Sequence, residues 1–275
     1  MLVLERNKSA PGGMALKIAV CVKSVPDTET NIKVADDKSN IALDGVRFIT
    51  SPYDEFAIEE ALKLKEKTSG ETTVFSIGGA EVTDVLRDSL ARGIDKAVHI
   101  NDPEFEWLDP LSTGEVLAAA IKDGGFDMIF MGQQGVGGDN NQVPSILAEL
   151  LDMPQATMVV NLEVDGDKFK AEREIEGAHE FVEGSLPCVI SAQKGLNEPR
   201  YPSIKGVMAA RRKPIETKDA EALGLKGKVG GEARKIVLKE MRLPPERPQG
   251  TVLDGDAPTQ AKKLVELLRQ EAKVL

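Results

Sequence analysis

Between Asp127 and Leu151 the chain reads DMIFMGQQGVGGDNNQVPSILAELL, and this stretch holds the residues best suited to bind a ligand. Met128 to Met131 is a short apolar run that fits a buried strand, and Pro144 opens a helical pattern through Ile146, Leu147, Leu150 and Leu151. A strand, a glycine loop and a helix in that order aim backbone N–H groups and a positive helix end at a phosphate. Gly132, Gly135, Gly137 and Gly138 would let the backbone approach a ligand and adopt positive φ. Asp139, Asn140, Asn141 and Gln142 add polar groups suited to a ribose or a base edge. The spacing is neither the dinucleotide fingerprint nor a Walker loop, and the same residues also suit an ordinary βα turn.

The elements that must position this loop follow from the hydrophobic pattern. Leu16–Val22 reads as a central strand, and Lys23–Asp27 as the turn that ends it. Residues 31–49 look like a short hairpin around a polar turn at Asp36–Asn40. Ser51–Pro52–Tyr53–Asp54 reads as a helix start, with Ser51 as N-cap and Asp54 closing a capping box. Ala57, Ile58, Ala61, Leu62 and Leu64 form that helix's buried side, and Ser69–Gly70 stops it. Strands at 72–77, 97–100 and 128–131 then alternate with helices at 82–91 and 113–122. The alternation predicts an α/β fold, doubly wound around a mostly parallel sheet, with a ligand at the carboxyl ends of the strands.

Past Leu151 two strands, 156–162 and 168–175, meet at Asp165–Gly166–Asp167, with Phe169, Ala171 and Ile175 on one face. Cys188–Ala192 is a further strand. The expected fold therefore includes an added β-hairpin region and an extended C-terminal arm ending in a helix. The domain reading is a mobile extension at 1–13, a nucleotide-binding α/β domain at 14–213 with a loop at 194–206, and an arm at 214–275. That arm is rich in Gly, Pro and Lys, with one strand at Ile236–Leu238 and a final helix over 261–275 capped by Asp256.

Composition narrows the functions. The chain has 275 residues, a formal net charge of −10 and 4% aromatic residues, which disfavours nucleic-acid binding. Cys21, Cys188, His99 and His179 stand far apart, without metal-ligand spacing. Residues 1–13 lack the apolar core of a signal peptide, and the expected location is the cytoplasm. No Ser-His-Asp or Cys-His set is suggested, and Glu59–Glu60, Glu172, Glu174 and Glu176 read as solvated faces. Arg200, Lys205, Arg211, Arg212 and Lys213 form a basic cluster beside Leu196, an apolar residue in a proline-stiffened loop. That combination fits an anchor for a partner's pocket.

Several motifs carry a resemblance. They are Val22–Lys23–Ser24–Val25–Pro26–Asp27, Ser51–Pro52–Tyr53–Asp54–Glu55 with its helix, the Gly132–Val143 loop, Arg173–Glu174–Ile175–Glu176–Gly177, and Leu196–Asn197–Glu198–Pro199–Arg200–Tyr201. From Leu16 to its end the chain resembles the β subunit of electron-transfer flavoproteins. The resemblance implies a heterodimer with an α subunit whose mobile domain holds a redox-active FAD, while the arm of β embraces α. It also implies an adenine nucleotide in β, with Gly132 and Gly138 at the phosphates and Cys21, Ser51, Ile77 and Asp139 to Val143 around it. Tyr53 would lie near the flavin of α, and Glu174 would pair with an arginine of the mobile domain. Leu196, Asn197, Glu198, Pro199, Arg200 and Tyr201 would dock on an acyl-CoA dehydrogenase-type flavoenzyme.

One departure bears on the nucleotide. Members holding AMP in β typically carry a threonine where Val143 stands, and Gly138–Asp139–Asn140–Asn141–Gln142–Val143 looks more like members with a second FAD. Those members oxidise NADH and bifurcate its electrons, yet Asn141 resembles the AMP type. The expected role is an electron carrier between acyl-CoA dehydrogenase-type flavoenzymes and another acceptor, with FAD or AMP in β. The alternative is an NADH-oxidising bifurcating subunit with a redox-active β-FAD. A stand-alone nucleotide sensor of similar fold is a third reading, disfavoured by the coreless arm.

Overall fold

A computed structural model describes residues 14–245 and 249–275. The extension expected at 1–13 lies outside the described residues. These residues divide into two compact units, one comprising 14–32 with 42–239 and the other 33–41 with residues from 240 onward.

The first unit is built on a nine-stranded sheet in the order β11–β5–β4–β1–β6–β10–β7–β8–β9. The strands are β1 (Lys17–Cys21), β4 (Glu71–Ile77), β5 (Lys96–Ile100), β6 (Met128–Gly132), β7 (Gln155–Asp165), β8 (Lys168–Ile175), β9 (Ala178–Ser185), β10 (Cys188–Ala192) and β11 (Ile215–Lys218). Neighbours from β11 to β7 pair in parallel, whereas β7–β8–β9 is antiparallel. Helices α1 (Pro52–Thr68), α2 (Val82–Arg92), α3 (Pro110–Ile121), α4 (Val143–Leu150) and α5 (Ile204–Ala210) flank it.

Period-2 alternation gives the sheet two buried faces. Ile18, Val20, Met128 and Phe130 pack with Ala57, Ile58 and Leu62 of α1 and Val85 and Leu86 of α2. Ala19, Cys21, Ile129 and Met131 face Val116 and Leu117 of α3 and Leu147 of α4. The chain runs from β1 outward through β4 and β5, then crosses to β6 on the other side of β1. A crevice therefore opens between the carboxyl ends of β1 and β6, the switch point of a doubly wound sheet.

Several expectations are corrected. Lys23–Asp27 is no mere turn: Ser24–Pro26 forms β2, antiparallel to β3 (Phe48–Thr50), because Val25 is buried there. The hairpin at 31–49 reduces to a single bridge, Val34 to Ile41, since its polar stretches offer no apolar face to bury. β9 was not legible, because its residues are polar and mostly exposed. Ile175 shares parity with buried Phe169 and Ala171 but is 40% exposed, as the hairpin runs out beside Gly177. In α4, Leu147 and Ala148 are buried while Leu150 is exposed.

The arm also begins later than its composition suggests. Ile215–Lys218 joins the free edge of β5, and Ala220 and Val229 are buried in the second cluster. Ile236–Leu238 forms no strand. In the second unit, α6 (Ala257–Gln270) starts four residues before the expected position, and Asp256 Oδ1 caps Thr259 N–H at 3.1 Å. Leu264 and Val265 of α6 remain exposed. Among the described residues, no helix is long and apolar enough to cross a membrane.

Candidate functional site

The crevice is a cleft of about 400 Å³. Its floor is Cys21 of β1 with Val22 and Lys23 just after it, and Met131 and Gly132 of β6 with Gln133 just after them. The glycine loop supplies Gly135, Gly138, Asp139, Asn140, Asn141, Gln142 and Val143, and Ile77 and Gly78 close the β4 side. Opposite stands a wall of Phe105, Trp107 and Leu108, in a two-proline loop that hydrophobic periodicity does not mark. The signal for it was Trp107, the sole tryptophan of the chain. Asp102 builds this wall by accepting N–H bonds from Glu104 at 2.9 Å and Ala220 at 3.1 Å. Arg234 lies over the Trp107 ring at 5.1 Å.

The loop itself departs from expectation. Of its four glycines only Gly137 has positive φ, and Asp139 and Asn141 take the left-handed region instead, which their short polar side chains tolerate. Asp139 N–H bonds back to Gly135 C=O at 2.9 Å, and Gln134 Nε2 donates to Asp139 Oδ1 at 3.0 Å. Gly132 and Gly135 serve protein packing. A Cβ on Gly132 would stand 2.6 Å from Asp54 Oδ1 and 2.7 Å from the Tyr53 carbonyl carbon, and one on Gly135 would stand 2.5 Å from Lys23 Cδ.

Asp54 is the residue most misread from sequence. It closes no capping box, and Ser51 Oγ caps nothing in the helix but lies 3.4 Å from Val136 N. The Asp54 carboxyl instead turns into the sheet, where it accepts N–H bonds from Lys23 at 2.8 Å and Gly132 at 2.7 Å. Burial pushes its pKa up to about 7 despite those two N–H groups and the nearby Lys23 ammonium. Lys23 extends toward the loop, with Nζ 3.5 Å from Val136 O.

A second correction concerns Glu59 and Glu60, expected as a solvated helix face and found 6% and 4% exposed. They hold the 196–201 loop onto α1. Arg200 donates to Glu59 from Nε at 2.8 Å, from Nη2 at 2.9 Å and from its backbone N–H at 3.1 Å. Its Nη1 reaches Glu66 at 2.5 Å, and together these carboxylates raise the Arg200 pKa. Asn197 Nδ2 donates to Glu60 and to Phe56 C=O, each at 3.0 Å. Leu196 is therefore no projecting tip: at 9% exposed it packs into the first core cluster. The apolar residues facing solvent nearby are Tyr201, Ile204 and Met208.

The electron transfer flavoprotein domain profile matches residues 39–223. "Electron transfer flavoprotein subunit beta" of Bacillus subtilis (strain 168) is 42% identical over 261 residues, covering 94% of this chain and 100% of that protein. The chain belongs to the electron transfer flavoprotein β-subunit family. Proteins of the same name from Syntrophomonas wolfei and Mus musculus are 37% and 36% identical, covering 95% and 87% of this chain and 99% and 93% of theirs.

Against that family identity, the residues singled out from sequence fall into separate places. Cys21, Ile77, Gly132, Gly138, Asp139, Asn140, Asn141, Gln142 and Val143 converge on the cleft. Ser51 is fully buried beneath it and Tyr53 is half-buried against Gly132. Glu174 is exposed on β8, opposite His179 of β9. Lys23, Asp54, Gln133 and Trp107 were missed, because their roles depend on contacts 30 or more residues away in the chain or on a loop without periodicity. Gly132→Ala should destabilise the protein by about 2–4 kcal/mol, since Asp54 and the α1 backbone cannot both retreat. Chemical denaturation checks this, and a loss under 0.5 kcal/mol, within the ordinary range for surface changes, would refute the packing argument.

Proposed function

We propose that this chain is the β subunit of a heterodimeric electron-transfer flavoprotein that carries electrons between acyl-CoA dehydrogenase-type flavoenzymes and another acceptor. The cleft at the β1–β6 switch point would hold an adenine nucleotide. Gln133 carries this reading: it lines the cleft, is 7% exposed, and its Oε1 has no hydrogen-bond partner. A buried acceptor left in that state costs about 1–3 kcal/mol unless a ligand donates to it, as an adenine amino group or ribose hydroxyl would.

The rest of the donor set suits an adenylate. The Lys23 ammonium, the Gly135–Asp139 backbone and the first turn of α4 offer positive charge and N–H groups for a phosphate. Phe105, Trp107 and Leu108 offer apolar surface for a base. A volume of about 400 Å³ is near the low end of the ~300–1,000 Å³ usual for small-molecule sites. It accommodates AMP, or the AMP half of an FAD whose flavin extends beyond it.

FAD, in α and where present in β, supplies the redox chemistry, and this chain's residues supply its placement. The exposed apolar face of α6 and the arm from residue 240 onward fit docking on α, and Glu174 and Tyr53 fit contact with its flavin domain. The 196–201 loop, with Tyr201, Ile204 and Met208 exposed beside it, fits the dehydrogenase. The cytoplasmic location read from the sequence belongs to the same proposal.

A second reading, an NADH-oxidising subunit with FAD in β, rests on Val143, which presents no hydroxyl to a terminal phosphate. Acid release and chromatography of nucleotides from the copurified αβ complex decide between them. One FAD and one AMP per heterodimer is the carrier, and two FAD is the NADH-oxidising subunit. A complex without adenine nucleotide in β would overturn both.

A further inference from the structure

The ladder between β1 and β6 ends before the strands do. Paired residues run only from Ile18–Met128 to Val20–Phe130, while β1 continues along β4 to Cys21 and β6 continues along β10 to Gly132. Beyond the last pair, the amides of Lys23 and Gly132 have no partner across the gap, and the Asp54 carboxyl accepts both. One side chain from the first turn of α1 thus replaces the missing rungs where the cleft opens. Gly132 makes room for it, as a Cβ there would collide with Asp54 Oδ1.

We propose that Asp54 is a positioning residue for the ligand of this cleft: it ties the diverging ends of β1 and β6 together and so sets where Lys23 and the glycine loop stand. The proposal rests on the reading of the cleft as an adenine-nucleotide site. Both tied residues lead directly into the site. Lys23 projects its ammonium toward the loop at Val136 and Gly138, and Gly132 is followed by Gln133, whose acceptor is unpartnered. A carboxylate can accept two N–H bonds at once, whereas its protonated form places an O–H against one of the donors. The tie is therefore complete only when Asp54 is ionised. The other charged or titratable groups around it are Lys23 and Cys21 at the end of β1 and Glu55 on α1, with Asp139 of the loop acting on Lys23.

The test uses the αβ complex, unaltered and carrying Asp54→Asn. Retained AMP or FAD is quantified after dialysis between about pH 5.5 and 8.5. Asparagine mimics the protonated carboxyl at every pH. Above neutrality the variant should lose its β nucleotide about ten-fold faster than the unaltered complex, and the two should converge below about pH 6. Equal retention at all pH values would overturn the proposal. Should Asp54→Asn fail to assemble, hydrogen exchange of peptides covering Lys23 and Gly132 in the unaltered complex decides. Their protection, corrected for intrinsic exchange, should rise as pH passes neutrality, and a flat profile overturns the tie. An unaltered complex with no β nucleotide would instead sink the nucleotide reading, while the exchange profile still reports on the tie itself.

Discussion

Replacing Arg200 with methionine should destabilise the protein by about 2–3 kcal/mol and release the loop at 194–206 from α1. The figure follows from what is left behind. Glu59, with its side chain 8% exposed, would keep a buried charge after losing both guanidinium bonds, and a severed buried pair typically costs about 3–5 kcal/mol. The lower value is expected here because Arg200 itself is one-third exposed and Glu66 lies at the surface, where screening weakens the pair. Denaturant unfolding measures the loss, and limited proteolysis across 194–206 measures the release. Glu59→Gln in the Arg200→Met background should recover part of the loss by removing the stranded charge. A double variant no more stable than Arg200→Met would show that the ion pair does not hold the loop. Asn197 gives the loop a second attachment at Glu60, so its ordered backbone should persist near Asn197 and fray toward Tyr201.

The second large effect is the pH dependence of Asp54. Its pKa rises on folding from 3.8 to about 7, so between those values the folded chain holds a proton that the unfolded chain has released. Stability from this group therefore falls as pH rises through that window. Above it the raised pKa costs about 4 kcal/mol of stability. Asp54→Asn has no such slope, and its amide NH₂ meets the same N–H donor that the O–H of the protonated carboxyl meets. The variant should match the parent near pH 4 and should gain on it up to about pH 7, remaining the more stable protein above it. Thermal unfolding of both across that range checks it, and a constant difference between them would rule out the buried titration. A side chain that lowers stability at neutral pH while joining two strand ends at a cleft is the pattern expected of a site that trades stability for geometry.

Parts of this were legible in the residues alone. β1 and β6 announce themselves as apolar runs, because strands buried on both faces need side chains of one kind in succession, and β4 and β5 stand out by their β-branched and aromatic residues. α1 was readable because Pro52, the first-turn Asp54 and Glu55, and the buried stripe from Ala57 to Leu64 agree on one helix. The glycine loop and its neighbours were marked as a binding surface by residue type. Local chemistry decides all of these, and local chemistry is what a sequence displays.

The rest was decided in three dimensions. Nothing adjacent to Glu59 or Glu60 in the chain hints that Asn197 and Arg200 will cover them, so two buried carboxylates looked like a solvated face. β11 could be placed only once β5 was seen to have a free edge, and β9 only once β8 was seen to have an open edge on the side away from β7, since hydrogen-bonded pairing carries little side-chain signature on a polar strand. Asp54 obeyed the rule for a helix N-terminus in type and position while its carboxyl went elsewhere. The sequence by itself determined the central strands β1, β4, β5 and β6, the helices that flank them, and the family they resemble. Only the tertiary structure decided that β1 and β6 part at Lys23 and Gly132, and that a carboxylate from a third element spans the gap, because both facts depend on where three distant segments end in space.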